Sequence, residues 1–302
     1  MRFLDADAVA ALGPAAAVQA ITDALRSGLD PAADPARVGV GLTSGQFLLM
    51  PSETLTATGV KVTTVAPDNP TRGLPRIQAV YLLFDRDTLS LLAILDGTAL
   101  TTLRTPAVSV AAVLGRLPDR PLRVAVIGAG PQATGHVSTL AAVRPLHEVT
   151  YLVRDPSRTS LEAVALGSAQ GEDSLRSADV VVCATSARSP LFDSRLLRND
   201  VVVVAVGSHE PDARELDAAL LGHASVLVED DATALREAGD VVMAIADGVL
   251  VPGDLLPMRL VVTGEVEVPT DRPLVFKSVG MPWQDLVVAE AVLHREPDTG
   301  LP

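Results

Sequence analysis

The spacing of apolar residues changes near residue 120 of this 302-residue chain. Before that point, the alanine-rich segment Asp5 to Leu25 has apolar residues three and four apart, which predicts a helix. Short apolar runs separated by turn residues follow, and they predict a meander of mostly antiparallel strands. The runs are Gln46 to Met50, Gly59 to Val65, Arg76 to Phe84 and Leu89 to Leu95. Thr101 to Leu117 predicts a further helix, and the linker Pro118 to Pro121 predicts a domain boundary between residues 118 and 119.

After the linker, predicted strands alternate with predicted helices. The strands are Arg123 to Ile127, Glu148 to Val153, Val180 to Ala184, Val201 to Val206 and Ser225 to Val228. Such alternation implies a parallel sheet with right-handed crossovers, so the fold class is α/β, a Rossmann-type parallel sheet domain plus a smaller mixed α+β domain. The segment Leu161 to Ser177 is short, and we expect this part of the sheet to be reduced. Near the end, Pro273 to Ser278 predicts one more strand and Trp283 to His294 a helix.

The first strand after the linker runs into a glycine turn and then into a helical pattern. Gly128, Gly130 and Ala133 stand at G-x-G-x-x-A spacing. In a dinucleotide site the first glycine permits the tight turn, the second lets the backbone approach a pyrophosphate, and a small third residue lets the helix pack on the strand. The helix N-terminus adds free N–H groups and the positive end of a dipole. This order of strand, turn and helix favours a bound dinucleotide over a turn that binds nothing.

Composition limits the partners of the chain. Aromatic residues make up 3% of it, so stacking platforms for single-stranded nucleic acid are scarce. The net charge of −13 repels nucleic acid and anionic membranes, so an anionic ligand needs local arginine or lysine side chains. The N-terminus lacks the pattern of a signal peptide, and no apolar run is long enough to span a membrane. We therefore expect a cytoplasmic protein with no nucleic-acid and no membrane partner.

Several classes of catalytic site have no counterpart in the sequence. The single cysteine, Cys183, lies in an apolar run that predicts a buried, inert thiol. No pair of histidines has metal-ligand spacing, so we predict no metal site. The absence of a G-x-S-x-G elbow and of a G-K-[ST] phosphate loop argues against a serine hydrolase and a P-loop nucleotidase.

Segments scattered along the chain, taken in their order, resemble the ornithine cyclodeaminase and mu-crystallin family. They are Gly59-Val60-Lys61, Asn69 with Gly73-Leu74-Pro75, Asp96-Gly97 with Leu103-Arg104-Thr105, Gly128 to Ala133, and Val275 to Gly280. The resemblance spans nearly the whole chain. It implies a homodimer in which residues 1–118, completed by 273–302, form a substrate-binding and dimerisation domain, while residues 119–272 hold a nicotinamide cofactor.

Three cations of the first domain, Arg37, Lys61 and Arg104, are candidate substrate ligands. A solvent-facing lysine is the ordinary expectation for Lys61 in an apolar strand. Arg104 lies near the start of a predicted helix, where N–H groups favour an anion and an arginine can clamp a carboxylate with two hydrogen bonds. The resemblance implies that all three grip the substrate carboxylate and makes Lys61 a candidate catalytic residue. The alternative is three unrelated surface cations.

The end of the second strand after the linker bears on cofactor choice. An acid there holds the ribose 2′-hydroxyl of NAD, whereas an arginine accommodates the 2′-phosphate of NADP. Val153 or Arg154 stands at this place with Arg158 close behind, which favours NADP(H) over NAD(H), while the neighbouring Asp155 keeps NAD(H) open. The other cofactor contacts implied by the resemblance are Gln132, Thr185, Val206 and Ser278.

The resemblance departs from true ornithine cyclodeaminases at His209, where those enzymes carry an aspartate that assists ring closure. Family members with other residues there resemble reductases or dehydrogenases of small imino or amino acids. A histidine titrates near neutral pH, so His209 can protonate an imine nitrogen or bind a carboxylate, or it is a loop residue with no chemical role. Glu210 and Asp212 are either solvated charges or substitute acids.

These features predict a homodimeric NAD(P)H-dependent reductase of a small carboxylated imine, of the ketimine or pyrroline-2-carboxylate type, that runs in reverse as an amino-acid dehydrogenase. Arg37, Lys61 and Arg104 fix the carboxylate, and Lys61, His209 or a water supplies the proton. One alternative is an ornithine cyclodeaminase, which converts L-ornithine to L-proline and ammonia with NAD as a catalytic cofactor. Another is a non-catalytic NADP(H)-binding protein of the mu-crystallin type.

Overall fold

The computed structural model describes residues 1–295 and divides them into two compact units. The first unit contains residues 1–108 and 280–295, and the second contains Ser109–Val279. Each unit is built on a sheet of its own.

Strands and helices follow one another along residues 1–295 in this order. The strands are β1 (Arg2–Leu4), β2 (Val38–Leu42), β3 (Gly45–Glu53), β4 (Ala57–Val65), β5 (Ile77–Asp85), β6 (Leu91–Asp96), β7 (Leu122–Ile127), β8 (Leu146–Val153), β9 (Ala163–Ala165), β10 (Val180–Cys183), β11 (Val202–Ala205), β12 (Ser225–Val228), β13 (Leu255–Pro257) and β14 (Leu274–Lys277). The helices are α1 (Ala6–Ala11), α2 (Pro14–Arg26), α3 (Gly97–Val113), α4 (Pro131–Val143), α5 (Ala169–Ser177), α6 (Ala218–His223), α7 (Asp231–Glu237), α8 (Gly239–Ala246), α9 (Met258–Val262) and α10 (Pro282–Arg295).

The predicted helix from Asp5 to Leu25 is divided into α1 and α2. Gly13 has a φ of 79°, a left-handed value that glycine adopts without steric penalty. Pro14 then begins α2, because proline has no N–H to donate to a preceding turn. The Asp5 carboxylate accepts a hydrogen bond from the N–H of Ala8 and caps α1. The prediction of one continuous helix is wrong because the apolar spacing continues unchanged across the break.

The sheet of the first unit has the strand order β1-β6-β5-β4-β3-β2. All its pairs are antiparallel except β1 with β6, and the predicted meander is confirmed as β3 to β6. Met50, Lys61, Tyr81 and Leu95 form one buried row across four of its strands. Helix α10 packs on β3, β4 and β5. Lys61 therefore belongs to the core of this unit.

The other face of the same sheet is apolar and partly exposed. Val60, Leu82 and Ile94 form one half-exposed row, and Val62 pairs with Val80 in the next row on the same face. Toward the sheet edges, the exposed apolar side chains are Phe3, Val38, Val40 and Phe47. We call these residues of the sheet the open face. Exposed apolar surfaces of this kind are typical of sites that contact another surface.

The second unit is an eight-stranded parallel sheet in the order β13-β12-β14-β11-β10-β7-β8-β9. Its central strands β10 and β11 are buried throughout, as expected for parallel strands that are covered on both faces. The predicted α/β fold class is confirmed. The expected reduction of the sheet is also confirmed, since β9 has three residues. The Cys183 thiol is buried at the end of β10.

The last strand, β14, lies inside this parallel sheet. It pairs with β11 on one side and with β12 on the other. We expected residues 273–302 to complete the first domain. Residues 273–279 lie in the second unit instead, because β14 forms the ladder between β11 and β12. Residues 280–295, with α10, lie in the first unit, and residues 296–302 are outside the described part of the chain. The predicted linker Pro118 to Pro121 lies within the second unit, and the units divide between Val108 and Ser109, inside α3.

Candidate functional site

The glycine turn of the second unit joins β7 to α4. Gly128 has a φ of 123°, and a Cβ at this position would lie 2.5 Å from the carbonyl oxygen of Ala184, so only glycine fits here. At Gly130 no heavy atom lies within 4 Å of such a Cβ, which leaves its backbone open to a ligand. The turn thus has the close packing on one side and the open approach on the other that a dinucleotide pyrophosphate requires.

The first turn of α4 presents backbone groups at the same place. The N-cap of the helix is Gly130, so no capping side chain binds the N–H groups of the first turn. Gln132 is half-buried and Ala133 is fully buried, as the small third residue of the motif should be. His136 donates its Nδ1–H to the carbonyl of Gln132 at 2.7 Å, and burial lowers the pKa of His136 to about 4. The neutral imidazole therefore supports this turn.

Three predicted cofactor contacts, Thr185, Val206 and Ser278, directly follow β10, β11 and β14 or lie one residue beyond. They lie at the carboxyl edge of the parallel sheet, which is the edge where such sheets bind ligands. Thr185 donates its N–H and its hydroxyl to one oxygen of Glu215, at 2.9 and 2.7 Å. Ser278 donates its hydroxyl to Glu229 at 2.8 Å. Buried carboxylates thus hold both hydroxyl groups in place.

Arg154 and Arg158 follow β8, and both side chains are exposed. The carboxylate of Asp155 accepts hydrogen bonds from the N–H and the hydroxyl of Ser157, at 3.0 and 2.6 Å. These bonds lower the pKa of Asp155. The acid beside Arg154 thus serves the turn that follows the strand.

Lys61 is buried in the first unit, with 3% of its surface exposed, so the expectation of a solvent-facing lysine is wrong. Its Nζ donates to Oδ2 of Asp285 at 2.7 Å and to the hydroxyl of Thr101 at 3.3 Å. The side chain of Asp285 is fully buried. Lys61 lies inside because its row of β4 faces α10, and the ammonium group is satisfied there by the carboxylate of Asp285.

Arg104 shares Asp285 with Lys61. Its Nε donates to Oδ1 of Asp285 at 3.2 Å, and its Nη1 donates to the side-chain oxygen of Gln284 at 2.7 Å. The helix that carries it, α3, begins at Gly97, so Arg104 lies two turns inside the helix and not at its N-terminus. The prediction that free helix N–H groups favour an anion beside Arg104 is therefore wrong, since those groups lie at the start of α3.

Arg37 reaches the same segment. Its Nη2 donates to the carbonyl of Gly280 at 2.5 Å, four residues before the Gln284 that Arg104 binds. The three cations singled out in the sequence thus converge on residues 280–285. The alternative of three unrelated surface cations is wrong for Lys61 and Arg104, which are both buried.

The electrostatics of this cluster favour proton transfer at Lys61. Burial, together with the charges of Arg104 and Arg37, lowers the pKa of Lys61 to about 8, against the opposing effect of Asp285. Burial likewise raises the pKa of Asp34 to about 6, although the hydroxyl of Ser52 and the N–H of Trp283 bind its carboxylate at 2.6 and 2.8 Å. Arg37, Lys61 and Arg104 thus outnumber Asp285, the carboxylate that Lys61 and Arg104 bind, and the excess of positive charge suits a bound carboxylate.

His209 and the acids beside it lie in the loop after β11. His209 is exposed. Glu210 and Asp212 are also exposed, and each binds Arg188 at 2.5 Å. The acids that could replace the aspartate of a cyclodeaminase are therefore paired at the surface with an arginine.

Sequence reasoning missed Asp285, which holds both Lys61 and Arg104. One signal was available in composition, since the 24 cationic residues include two lysines, Lys61 and Lys277, and 22 arginines. Both lysines are buried, whereas most of the arginines are exposed or half-buried. A chain that places arginine at nearly every cationic position retains lysine where a compact ammonium group has to fit.

Two kinds of feature are missing from residues 1–295. No group of three or more potential ligands is placed to hold a metal ion in this part of the chain. None of the helices found there has the length and the apolar character needed to cross a membrane.

Residues 8–299 match the sequence model of the Ornithine cyclodeaminase/mu-crystallin family. A Delta(1)-pyrroline-2-carboxylate reductase of Bacillus cereus is 31% identical over 273 residues, covering 84% of this chain and 82% of the relative. The ketimine reductase mu-crystallin of Rattus norvegicus is 33% identical over 240 residues, covering 77% and 74%.

Solved structures show the same relationship. The Delta(1)-pyrroline-2-carboxylate reductase of Thermococcus litoralis, in complex with NADH and L-proline, superposes with a TM-score of 0.85 at 25% identity, covering 97% of both chains. An archaeal alanine dehydrogenase dimer with bound NAD superposes with a TM-score of 0.83 at 25% identity, covering 97% of this chain and 95% of the other.

Proposed function

The chain belongs to the ornithine cyclodeaminase/mu-crystallin family, and from this membership we propose that it is an NAD(P)H-dependent reductase of a small imine that carries a carboxylate. The substrate class is that of Δ1-pyrroline-2-carboxylate and related ketimines, and the reverse reaction oxidises an amino acid. The relatives support an oxidoreductase that acts on a C=N bond.

The observation that carries this proposal is the buried cluster of Lys61, Arg104 and Asp285, with Arg37 bound to the same segment. Burying two cations is costly unless they are paired, and one carboxylate pairs both. The cluster retains positive charge for a substrate carboxylate, which arginine can bind with two parallel hydrogen bonds. A buried lysine whose pKa is lowered to about 8 is typical of a site that transfers a proton, which favours an enzyme over a non-catalytic binding protein.

Lys61 is the proton donor of the proposed reaction. Its pKa of about 8 keeps it protonated at neutral pH and lets it lose the proton readily to an imine nitrogen as reduction proceeds. Asp285 orients the Lys61 ammonium group through the 2.7 Å contact and then stabilises it when the proton returns. Arg104 and Arg37 fix the carboxylate, so that the imine is held in one orientation.

The second unit holds the cofactor in this proposal. Gly128, Gly130 and Ala133 receive the pyrophosphate at the start of α4. Thr185 and Ser278, at the carboxyl edge of the sheet, would hold the nicotinamide end of the cofactor. When bound, the nicotinamide supplies the hydride that reduces the imine carbon.

The test is a spectrophotometric panel at the absorbance band of the reduced nicotinamide. The compounds are Δ1-pyrroline-2-carboxylate, Δ1-piperideine-2-carboxylate, pyruvate with an amine, and L-ornithine. We expect cofactor oxidation with at least one cyclic imine and a loss of about 100-fold or more in kcat for Lys61→Met. Release of ammonia from L-ornithine without net change in the cofactor would instead establish a cyclodeaminase. No turnover of any compound by a protein that binds the cofactor would establish a binding protein.

We propose that the cofactor is NADP(H). The support is the position of Arg154 and Arg158 directly after β8, together with the hydrogen bonds that Asp155 makes to Ser157. An arginine there suits the 2′-phosphate. Arg154→Asp should weaken binding of NADPH by at least about tenfold and leave NADH within a factor of about two. Equal losses for both cofactors, measured by fluorescence titration, would contradict the phosphate contact.

We propose that the protein is a homodimer that associates through the open face. The sheet presents a contiguous apolar surface there, and the related archaeal alanine dehydrogenase is a dimer. A two-fold contact requires a surface that is complementary to itself, and rows of apolar side chains on a sheet can pack against the same rows of a second copy.

A further inference from the structure

Lys277, the second of the two lysines, ends β14 and is buried. Its Nζ donates to the carbonyl of Ser208 at 2.5 Å and lies 2.9 Å from Oδ2 of Asp240. The side chains of Lys277 and Asp240 are both fully buried. An ammonium group in such a place costs free energy unless it is paired and hydrogen-bonded, and here both conditions are met.

Asp240, at the start of α8, links Lys277 to a second buried carboxylate. Its Oδ1 accepts hydrogen bonds from the N–H groups of Glu215 and Leu216, each at 2.8 Å. Glu215 in turn accepts the N–H and the hydroxyl of Thr185 on one oxygen, and the N–H of Gly207 on the other at 2.8 Å. We call Lys277, Asp240 and Glu215 the brace, because together they connect β14 with the loops after β10 and β11.

Stability alone does not explain the brace. Apolar residues of similar volume often replace buried ion pairs with no loss of stability, or with a gain. What an apolar core cannot do is bind backbone groups, and the brace binds the backbone of Thr185, Gly207 and Ser208. These residues belong to two loops at the carboxyl edge of the sheet, where ligands of parallel sheets bind.

We infer that Lys277, Asp240 and Glu215 are positioning residues, which hold the loops after β10 and β11 in the conformation that receives the cofactor. The inference rests on the proposed function, since it assigns the cofactor to these loops. Loops that are already ordered need not lose conformational freedom when the ligand binds, so the brace strengthens cofactor affinity without touching the cofactor.

The test uses the double variant Lys277→Met/Asp240→Asn. It removes both charges together, keeps the volumes similar, and leaves an oxygen at residue 240 for the N–H groups of Glu215 and Leu216. The matched control is Val226→Ala, which removes buried apolar volume from strand β12 of the same sheet. Val226 takes no part in the hydrogen bonds of the brace given above. Tm, hydrogen exchange of peptides covering 206–213, and the Kd for NADPH and NADH are measured for all three proteins.

We expect exchange in 206–213 to be at least about tenfold faster in the double variant, with a Kd for the preferred cofactor that is roughly tenfold higher. The control should change Tm while leaving both quantities within a factor of about two. Unchanged exchange and affinity in a folded double variant would overturn the inference, and so would equal effects in the control.

If the double variant does not fold, Glu215→Gln, which keeps one acceptor oxygen, takes its place with the same expected changes and the same grounds for rejection. If the wild type binds neither nucleotide, the proposed function fails and the inferred role in cofactor binding fails with it, while the exchange rates alone still show whether the brace orders the loops.

Discussion

Lys61 is the residue where burial and charge act against each other most directly. Burial favours the neutral amine, and Asp285 favours the ammonium, so the pKa of about 8 is the balance between the two. The same balance sets a limit on the proposed reaction, because only the protonated form can donate to the imine. In the proposed reaction, a pH below about 8 therefore favours reduction, and a pH above it favours oxidation of the amino acid.

The first prediction is that reduction and oxidation have opposite pH profiles centred on this value. kcat for imine reduction should fall as the pH rises through about 8, and kcat for amino-acid oxidation should rise over the same interval. The residue responsible is identified by NMR of lysine labelled with carbon-13, which gives two side-chain signals because the chain has two lysines. The signal that disappears in Lys61→Met should titrate near pH 8, and a value near 10.5 would contradict the prediction.

The second prediction concerns Asp285, which pairs Lys61 and Arg104. Asp285→Asn leaves two buried cations without a counter-charge, so the free energy of unfolding should fall by about 3 to 5 kcal/mol. Loss of the carboxylate should also lower the pKa of Lys61 further and move the pH limit of reduction below 8. Urea unfolding and the lysine NMR titration measure the two effects.

The control for Asp285 is Glu290→Gln in the same helix. Glu290 binds the hydroxyl groups of Thr54 and Thr56 at the edge of the unit, and it makes no described hydrogen bond to Lys61 or Arg104. Its replacement should leave the titration of Lys61 in place. A Lys61 titration that moves equally in both variants would mean that the general field of α10, and not the contact with Asp285, sets the pKa.

Residue types could be selected from the sequence at this site, but their contacts could not. Lys61 and Arg104 stand out as cations in apolar segments, yet their burial depends on which face of β4 and of α3 meets α10. Asp285 is 224 residues from Lys61 and 181 from Arg104. No spacing rule reaches over such a distance, because these contacts form only when the end of the chain returns to its first part.

At the scale of elements, apolar spacing predicted the α/β class and most of the strands, because central strands such as β10 and β11 are continuous apolar runs. It did not predict β1, β9 and β13, which have three residues each, or the exposed strand β2. It failed at the division of α1 from α2, where backbone chemistry at Gly13 and Pro14 decides and the apolar spacing does not change. It also could not place β14, since the identity of a neighbour in a sheet is a property of the whole ladder and not of one strand. The glycine turn was predictable because its constraint is local, with a positive φ at Gly128 and an open backbone at Gly130.

The third prediction separates the two glycines of this turn. Gly128→Ala should lower the free energy of unfolding by about 1 to 3 kcal/mol or more, because φ is 123° and the added Cβ would lie 2.5 Å from the Ala184 oxygen. Gly130→Ala should leave stability nearly unchanged, since φ is −87° and no atom lies within 4 Å, but it should weaken nucleotide binding by at least about tenfold. Thermal unfolding and fluorescence titration distinguish the two. A Gly130→Ala protein with full nucleotide affinity would remove the turn from the proposed site.

At the scale of the whole molecule, the net charge opposes the association of two copies, and the open face favours it. Each copy carries −13, so two copies repel one another at low ionic strength. The open face consists of apolar side chains, and burying them against a second copy supplies a favourable term that does not depend on charge. Association through this face should therefore strengthen as salt screens the repulsion, which is the reverse of the behaviour of a contact built from ion pairs.

The fourth prediction tests this face with one charge at its centre. Val62 and Val80 pair across β4 and β5 in the middle of the open face, so Val62→Glu would place a carboxylate inside the proposed contact and repeat it on the second copy by symmetry. Light scattering after gel filtration should show a dimer for the wild type and a monomer for Val62→Glu. Ala15→Glu, at the exposed start of α2, adds the same charge elsewhere and should remain dimeric. If Val62→Glu stays a dimer with unchanged affinity, the two copies meet through another surface, since a buried carboxylate without a partner cannot be accommodated at the centre of an apolar sheet contact.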